Sequence, residues 1–578
     1  MSRAAARAGL LAAAWAITAC EGSHAPAGAG TDAAAGAGDA GASDAPGGGD
    51  ISPPGRAPRT GAPLPPGVAP ARRILAPNAA LTGGGEGSCS HQLPASGNGD
   101  RWCVFTRPGP GAQTELWVIN VSRASAAVPA CDGSDPACLR LTSNVWTGGG
   151  VNGPFQPYAN RFFGDSLVFY ADALSGALEV HRGPAFAWRP GWAQARRIST
   201  DAALECWGHP RALLAHCVED LAGDPVRPDS FELRAGPIAD RDGIVLPTVG
   251  RVLPRTADGQ LAWQAGFSPD GAQFALSSPP ALGQVESLRT LATVALGQAP
   301  PQEIIAGVQR WQISGDGKHV YFLRPGADGA IGLFVADFPS GAHPIGLEPR
   351  VSDYFLLGPA QADPGPDHGV AFLADLGPDK GAFRLLADPT APTTVTTVFS
   401  YDAGLDALRL SRDLRFTAWR NPDFRVTVVR HDTLQTCGLN LHSDRAAYSM
   451  SFLDHAGLVF WTESDGGDRD RRNGYYADPS GCQGKQQFAE AVYFLMPIAD
   501  RGLVFADEID DDTQRTNLKY ARISAKNRWP DGGAVRVHDD IDGTSVLFVG
   551  ADPLLLLFTV SGGAPAQQGT YLFGPVPL

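Results

Sequence analysis

Residues 267–276 read FSPDGAQFAL, and residues 313–322 read ISGDGKHVYF. Ser268 and Ser314 stand 46 residues apart, and so do Asp270 and Asp316. An Asp-Gly pair supplies the positive φ of a tight hairpin turn, which places Gly271 and Gly317 at the bend and makes the apolar run after each a buried strand. Recurrence at a period of roughly 40–50 residues is the mark of a repeat array.

Working outward from these two copies, ten second strands can be picked out, each preceded by a turn and followed by another strand. They are WCVFT (102–106), SLVFY (166–170), LLAHCV (213–218), QFALS (273–277), HVYFL (319–323), VAFLA (370–374), RFTAW (415–419), GLVFW (457–461), GLVFA (502–506) and LLLLF (554–558). Third strands follow in ELWVINV (115–121), GLFVADF (332–338), FRVTVV (424–429) and NLKYARI (517–523), and fourth strands in CLRLTS (138–143) and RRIST (196–200). A unit of this kind leaves apolar faces open until the next one stacks against it. The expected fold is therefore all-β, a β-propeller of four-stranded blades with eight to ten repeats, the unit around 213–218 being the one most open to reading as an insertion. The last unit stops after its third strand, GTYLFGP (569–575), and ARRILAP (71–77) looks like an orphan fourth strand. Pairing the two would close the ring and cover both open edges.

Composition agrees with many short strands. Of 578 residues only 18% are charged, while 70 Gly and 48 Pro supply the turns. The formal net charge is −14 and no basic run exceeds a pair such as Arg471-Arg472, which argues against nucleic acid as a partner.

Residues 1–20 have the layout of an export signal. Arg3 and Arg7 precede an apolar stretch, 8–16, too short to span a bilayer, and Ile17-Thr18-Ala19-Cys20 resembles a lipobox. That resemblance implies lipidation at Cys20, and Glu21 after it mildly favours the outer membrane, at its periplasmic or surface face. An ordinary secretory signal is the alternative. Residues 21–70, rich in Ala, Gly, Pro, Ser and Asp, carry too little apolar surface to offset chain entropy and are expected to be a disordered linker between the anchor and a folded part spanning 71–578. The membrane is expected to be reached only through the N-terminal lipid.

Setting Cys20 aside leaves eight cysteines, an even number that suits disulfides in an exported chain. Cys89 with Cys103, Cys131 with Cys138 and Cys206 with Cys217 are near neighbours. Cys437 with Cys482 remains by elimination, but equivalent outer positions of adjacent blades lie on the order of 10 Å apart, beyond the ~7 Å Cα limit for a disulfide.

The SPDG turn followed by a strand, with a later RLT-like strand, resembles the TolB-like propeller repeats, relatives of the WD-type repeats. The pattern is well marked at Ser268 and Ser314, weaker at SRDLRFTAW (411–419) and FGDSLVFY (163–170), and covers most of 71–578. TolB itself has six blades and an added N-terminal domain; ten units and no such domain are read here.

Candidate chemistry is sparse. Gly164-Asp165-Ser166-Leu167 resembles the nucleophile motif of the GDSL hydrolases, and Asp316 with His319 resembles that family's Asp-x-x-His element. That fold needs the serine to lead into a helix, whereas Leu167 onward reads as a strand, so turn chemistry is the better account. Cys206, His209, His216 and Cys217 have zinc-like spacings, yet His216 and Cys217 are consecutive in a strand and point to opposite faces. The acidic loops 465–470 and 507–512 could collect calcium through carboxylate oxygens, but they lack the Gly and Glu placement of an EF-hand, and solvated charge is the commoner explanation. No cofactor, metal set or catalytic set is expected. Two functions remain: a lipid-anchored cell-envelope scaffold that binds an envelope protein or peptide, or a glycan-active lyase or hydrolase working in the central funnel. A funnel lined by converging carboxylates, His and Arg would favour the second.

Overall fold

A computed structural model of the chain describes residue 64 and residues 70–576, apart from connecting segments that are chiefly 91–99, 147–159, 173–181, 221–230, 253–263, 358–368 and 524–532. The signal region with Cys20, the linker 21–70 save for Leu64 and Pro70, and Cys482 lie outside the described residues.

The described strands form ten four-stranded antiparallel sheets. In chain order these blades span 80–142, 161–197, 203–252, 264–306, 310–348, 351–401, 407–438, 447–489, 494–542 and 547–576, and the tenth takes its fourth strand from Arg72–Leu75. All ten segments read as second strands are second strands, and the segment at 213–218 belongs to a full third blade, Leu214–Asp220. The described helices are single turns, Val121–Ala124 and Thr293–Ala295.

The blades hold together because both faces of each are apolar. Ten hydrophobic clusters run through the protein, and each draws on two neighbouring blades. Val168 and Tyr170 of blade 2 meet Ala215 of blade 3, for example, and Tyr321 of blade 5 meets Phe372 of blade 6. The tenth junction joins the ends of the chain: Leu557 and Leu572 of blade 10 pack with Phe105 and Trp117 of blade 1. Second strands are buried along their middles, as at 320–323 in His319–Pro325, while fourth strands such as Gln302–Ala306 and Ile345–Glu348 carry exposed residues at the outer rim. The first strands are thereby set innermost.

Closure is by the expected pairing of Arg72–Leu75 with Gly569–Val576. Arg72 pairs with Leu572, Arg73 with Tyr571 and Leu75 with Thr570. Ile74 and Leu75 are buried, and Arg73 Nη1 donates to the carbonyl of Ala566 at 2.7 Å. Since the strand enters beside Leu572 and the third strand of blade 10 ends at Val576, both ends of the folded chain lie on the face that carries the first-hairpin turns. The opposite face carries the turns between second and third strands.

Candidate functional site

The SPDG turns are built by one hydrogen-bond scheme. Ser268 N–H donates to the carbonyl of Gln273, five residues on, and Gln273 N–H donates back to Ser268 Oγ at 2.9 Å. Ser268 Oγ also donates to Asp270 Oδ1, which accepts Ala272 N–H, so the carboxylate caps the turn while Gly271 takes φ +73°. Ser314, Asp316 and Gly317 repeat this with His319 and Lys318 as partners, Gly317 taking φ +71°. These hydrogen bonds, together with the charge of His209 or His319, lower the Asp270 and Asp316 carboxyls; at Asp316 burial, which works against the shift, is the largest single influence. Both acids serve the turn.

The remaining sequence candidates separate in the same way. Ser166 is buried in the second strand of blade 2, whereas Asp316 and His319 belong to blade 5. Asp165 pairs with Arg189 at 3.7 Å. Cys206 and Cys217 face each other directly across two strands, Cα atoms 4.1 Å apart, and are disulfide-bonded, which removes both thiolates from any zinc set. His209 caps its turn by accepting Ala212 N–H, and His216 stacks on Trp207 at 5.0 Å. Cys89 is bonded to Cys103 and Cys131 to Cys138; Cys437 is also disulfide-bonded, and Cys482 is outside the described residues. In the second acidic loop Asp507 is buried against Lys519 Nζ at 2.6 Å; the side chains of 465–470 are outside the described residues. Among the described residues no three His, Cys, Asp or Glu side chains come together as metal ligands.

What the sequence did not single out is a cavity of about 580 Å³ at the seam where blade 10 meets blade 1. Its floor is Ile74, Leu75 and Phe105, its walls include Pro108, Pro110 and Pro129, and Arg107 and Glu115 stand at its side. The turn 108–113 and the link 76–79 place it on the face opposite the chain ends. Glu115 is the second residue of the third strand of blade 1, Thr114–Asn120, and is 4% exposed. Its Oε2 accepts Arg107 Nε and Trp117 Nε1, each at 2.9 Å, and its Oε1 accepts Arg140 Nη1 at 3.0 Å. Burial by itself would raise the Glu115 carboxyl, but the hydrogen bonds from Arg107, Trp117 and Arg140 outweigh it and hold the group below the ordinary glutamate range. Arg107 is fixed three ways: it bonds Glu115, donates Nη1 to the carbonyl of Cys131 at 2.7 Å, and lies 3.9 Å over the Trp117 ring. Cys131 is tethered to the fourth strand by its bond to Cys138, so the disulfide locates the carbonyl that orients the guanidinium.

Similar charged groups elsewhere balance differently. In blade 8 buried Glu463 accepts Trp461 Nε1 and is matched by the single cation Lys485, and in blade 9 Asp507 is matched by Lys519. In blade 3 Arg234 serves two acids, Glu219 and Glu232. Only in blade 1, within this set, do two cations meet one carboxylate. The Glu-x-Trp spacing at 115–117, mirrored as Trp-x-Glu at 461–463, was the available signal. Glu286, near the junction of blades 4 and 5, is different again: burial pushes its carboxyl up to about 7, and its bond with Ser277 draws it back only in part.

No known protein family matches the chain, and no curated protein does. Among solved structures it is similar to a eukaryotic initiation factor, at 9% identity over 72% of this chain and 92% of that one, with a TM-score of 0.43. It is also similar to an oligogalacturonate lyase in complex with manganese, at 12% identity over 64% and 96%, TM-score 0.29. A third is a putative TolB from Agrobacterium tumefaciens, at 13% identity over 42% and 83%, TM-score 0.24.

Proposed function

We propose that this propeller is an exported, lipid-anchored binding module of the cell envelope that presents the seam cavity to an envelope protein or peptide. The carrying observation is the state of the groups beside that cavity. Arg107 and Arg140 are cations, and Glu115 is held ionised by the hydrogen bonds it accepts. The Glu115 carboxyl is held below the ordinary glutamate range, away from the neutrality that proton shuttling requires, whereas a rigid apolar floor with fixed charges suits recognition. Three disulfides favour an oxidising compartment, and the lipobox-like Cys20 supplies the address. Chain ends on one face and the cavity on the other suit a module held from one side and engaged from the other.

The test is a crosslinked pull-down from envelope membranes with the full chain as bait, alongside mass spectrometry of the mature N-terminus. The proposal expects a diacylglyceryl-modified Cys20 and a recurrent envelope partner. Partner-free recovery together with turnover in a glycan screen would replace it with the enzymatic reading.

A further inference from the structure

Resting on that reading, we infer that the seam cavity binds the C-terminal residue of a peptide, the terminal carboxylate lying against Arg107 and an apolar last side chain on the Ile74–Phe105 floor. Charge complementarity carries the choice. Two guanidinium groups share one carboxylate at Glu115, so this ion-pair cluster carries one more cation than anion beside a cavity with an apolar floor, in a chain whose net charge is −14. The nearby loop carboxylates keep their charge but pair with neither arginine among the described residues: Asp132 accepts from Ser134, and Asp135 accepts the N–H groups of Ala130 and Ala137.

The geometry of Arg107 matters as much as its charge. Nε and one Nη1 hydrogen are used within the protein, and the Nη2 hydrogens have no partner among the described residues. With a side chain 29% exposed, stacked on Trp117 and tied to Cys131, the guanidinium edge is preset to accept a carboxylate, the planar anion it matches best. A preset donor loses little rotamer entropy when its ligand arrives. The size also fits: about 580 Å³ is within the range of small-ligand pockets and takes one or two residues, not a folded surface. Proline walls at Pro108, Pro110 and Pro129 offer no N–H groups of their own to compete for the carboxylate.

The probe is the peptide N-acetyl-Gly-Phe-Leu with a free C-terminus, compared with the same peptide as its C-terminal amide, titrated calorimetrically into the full chain. The acid is expected to bind at least tenfold more tightly than the amide. Arg140→Gln and the Cys131→Ser/Cys138→Ser pair should each weaken the acid several-fold, the first through charge and the second through the orientation of Arg107. Lys485→Gln in blade 8 should leave binding unchanged. Equal binding of acid and amide, or no binding of the acid at millimolar concentration, overturns the inference. If the envelope pull-down succeeds and is indifferent to Arg140→Gln, the binding module stands and this site is not where it binds.

Discussion

At the scale of single residues, the protein separates charges that stabilise from charges that cost. Glu115 gains three hydrogen bonds in the fold, and Glu115→Gln leaves Arg107 and Arg140 facing each other without their shared anion. Breaking a buried pair costs about 3–5 kcal/mol; with side chains 29% and 53% exposed at the two arginines, solvent screening brings the expectation to about 1–3 kcal/mol in chemical denaturation. Because the folded carboxyl lies below its unfolded value, this stabilisation is full above the ordinary glutamate pKa and fades as pH falls through the folded one. His216 titrates in the opposite chemical sense but with the same slope. Burial among Trp207, Phe267 and Phe274 holds its pKa at about 3, so the folded protein keeps it neutral while the unfolded chain protonates it below its usual ~6.5. Stability is therefore lost between roughly pH 6.5 and pH 3 at up to about 1.4 kcal/mol per pH unit. His216→Phe, which keeps the stack and removes the titration, should flatten the melting-temperature profile across that window. An unaltered profile would mean that His216 is protonated in the fold.

At the scale of elements, the turn explains both what the sequence made legible and what it hid. Ser268 and Ser314 were readable because the turn is a local object whose residues are contiguous. In blade 3 the same place is filled by His209, whose N–H donates to the Leu214 carbonyl five residues on, as Ser268 does to Gln273. A histidine there gave no serine for the repeat pattern to find, which is why that unit looked like an insertion. In blade 1 Ser90 exchanges the same pair of hydrogen bonds with Trp102, twelve residues on, and the added length broke the spacing. The seam site was illegible for a different reason: Arg107, Glu115 and Arg140 come together through strand register, and Ile74 reaches them only by ring closure. The first-hairpin turns also bind blade to blade. Gly164 takes φ +58°, and a Cβ there would stand 1.8 Å from the carbonyl oxygen of Pro210 in blade 3. Gly164→Ala therefore meets both a left-handed backbone and an unyielding neighbour, and should cost roughly 2 kcal/mol or more. A loss under about 0.5 kcal/mol by denaturant titration would show that the two turns do not touch in solution.

For the molecule as a whole, stability is distributed among ten like junctions, and nine of them join segments close in sequence. The tenth depends on residues at the two ends of the folded chain. Without Arg72–Leu75, Gly569–Val576 becomes an exposed edge, and the cluster that holds Phe105, Trp117 and Leu572 opens to solvent. Burial of Ile74 and Leu75 alone is worth about 1.5–3 kcal/mol each. Two of those four residues, Ile74 and Leu75, also form part of the floor of the seam cavity, so shape and recognition depend on one strand. The measurement that bears most directly on this account is the calorimetric melting temperature of the mature chain with residues 71–77 deleted. A ring sealed by that strand predicts a fall of about 5 °C or more, and a melting temperature equal to that of the intact chain would contradict it.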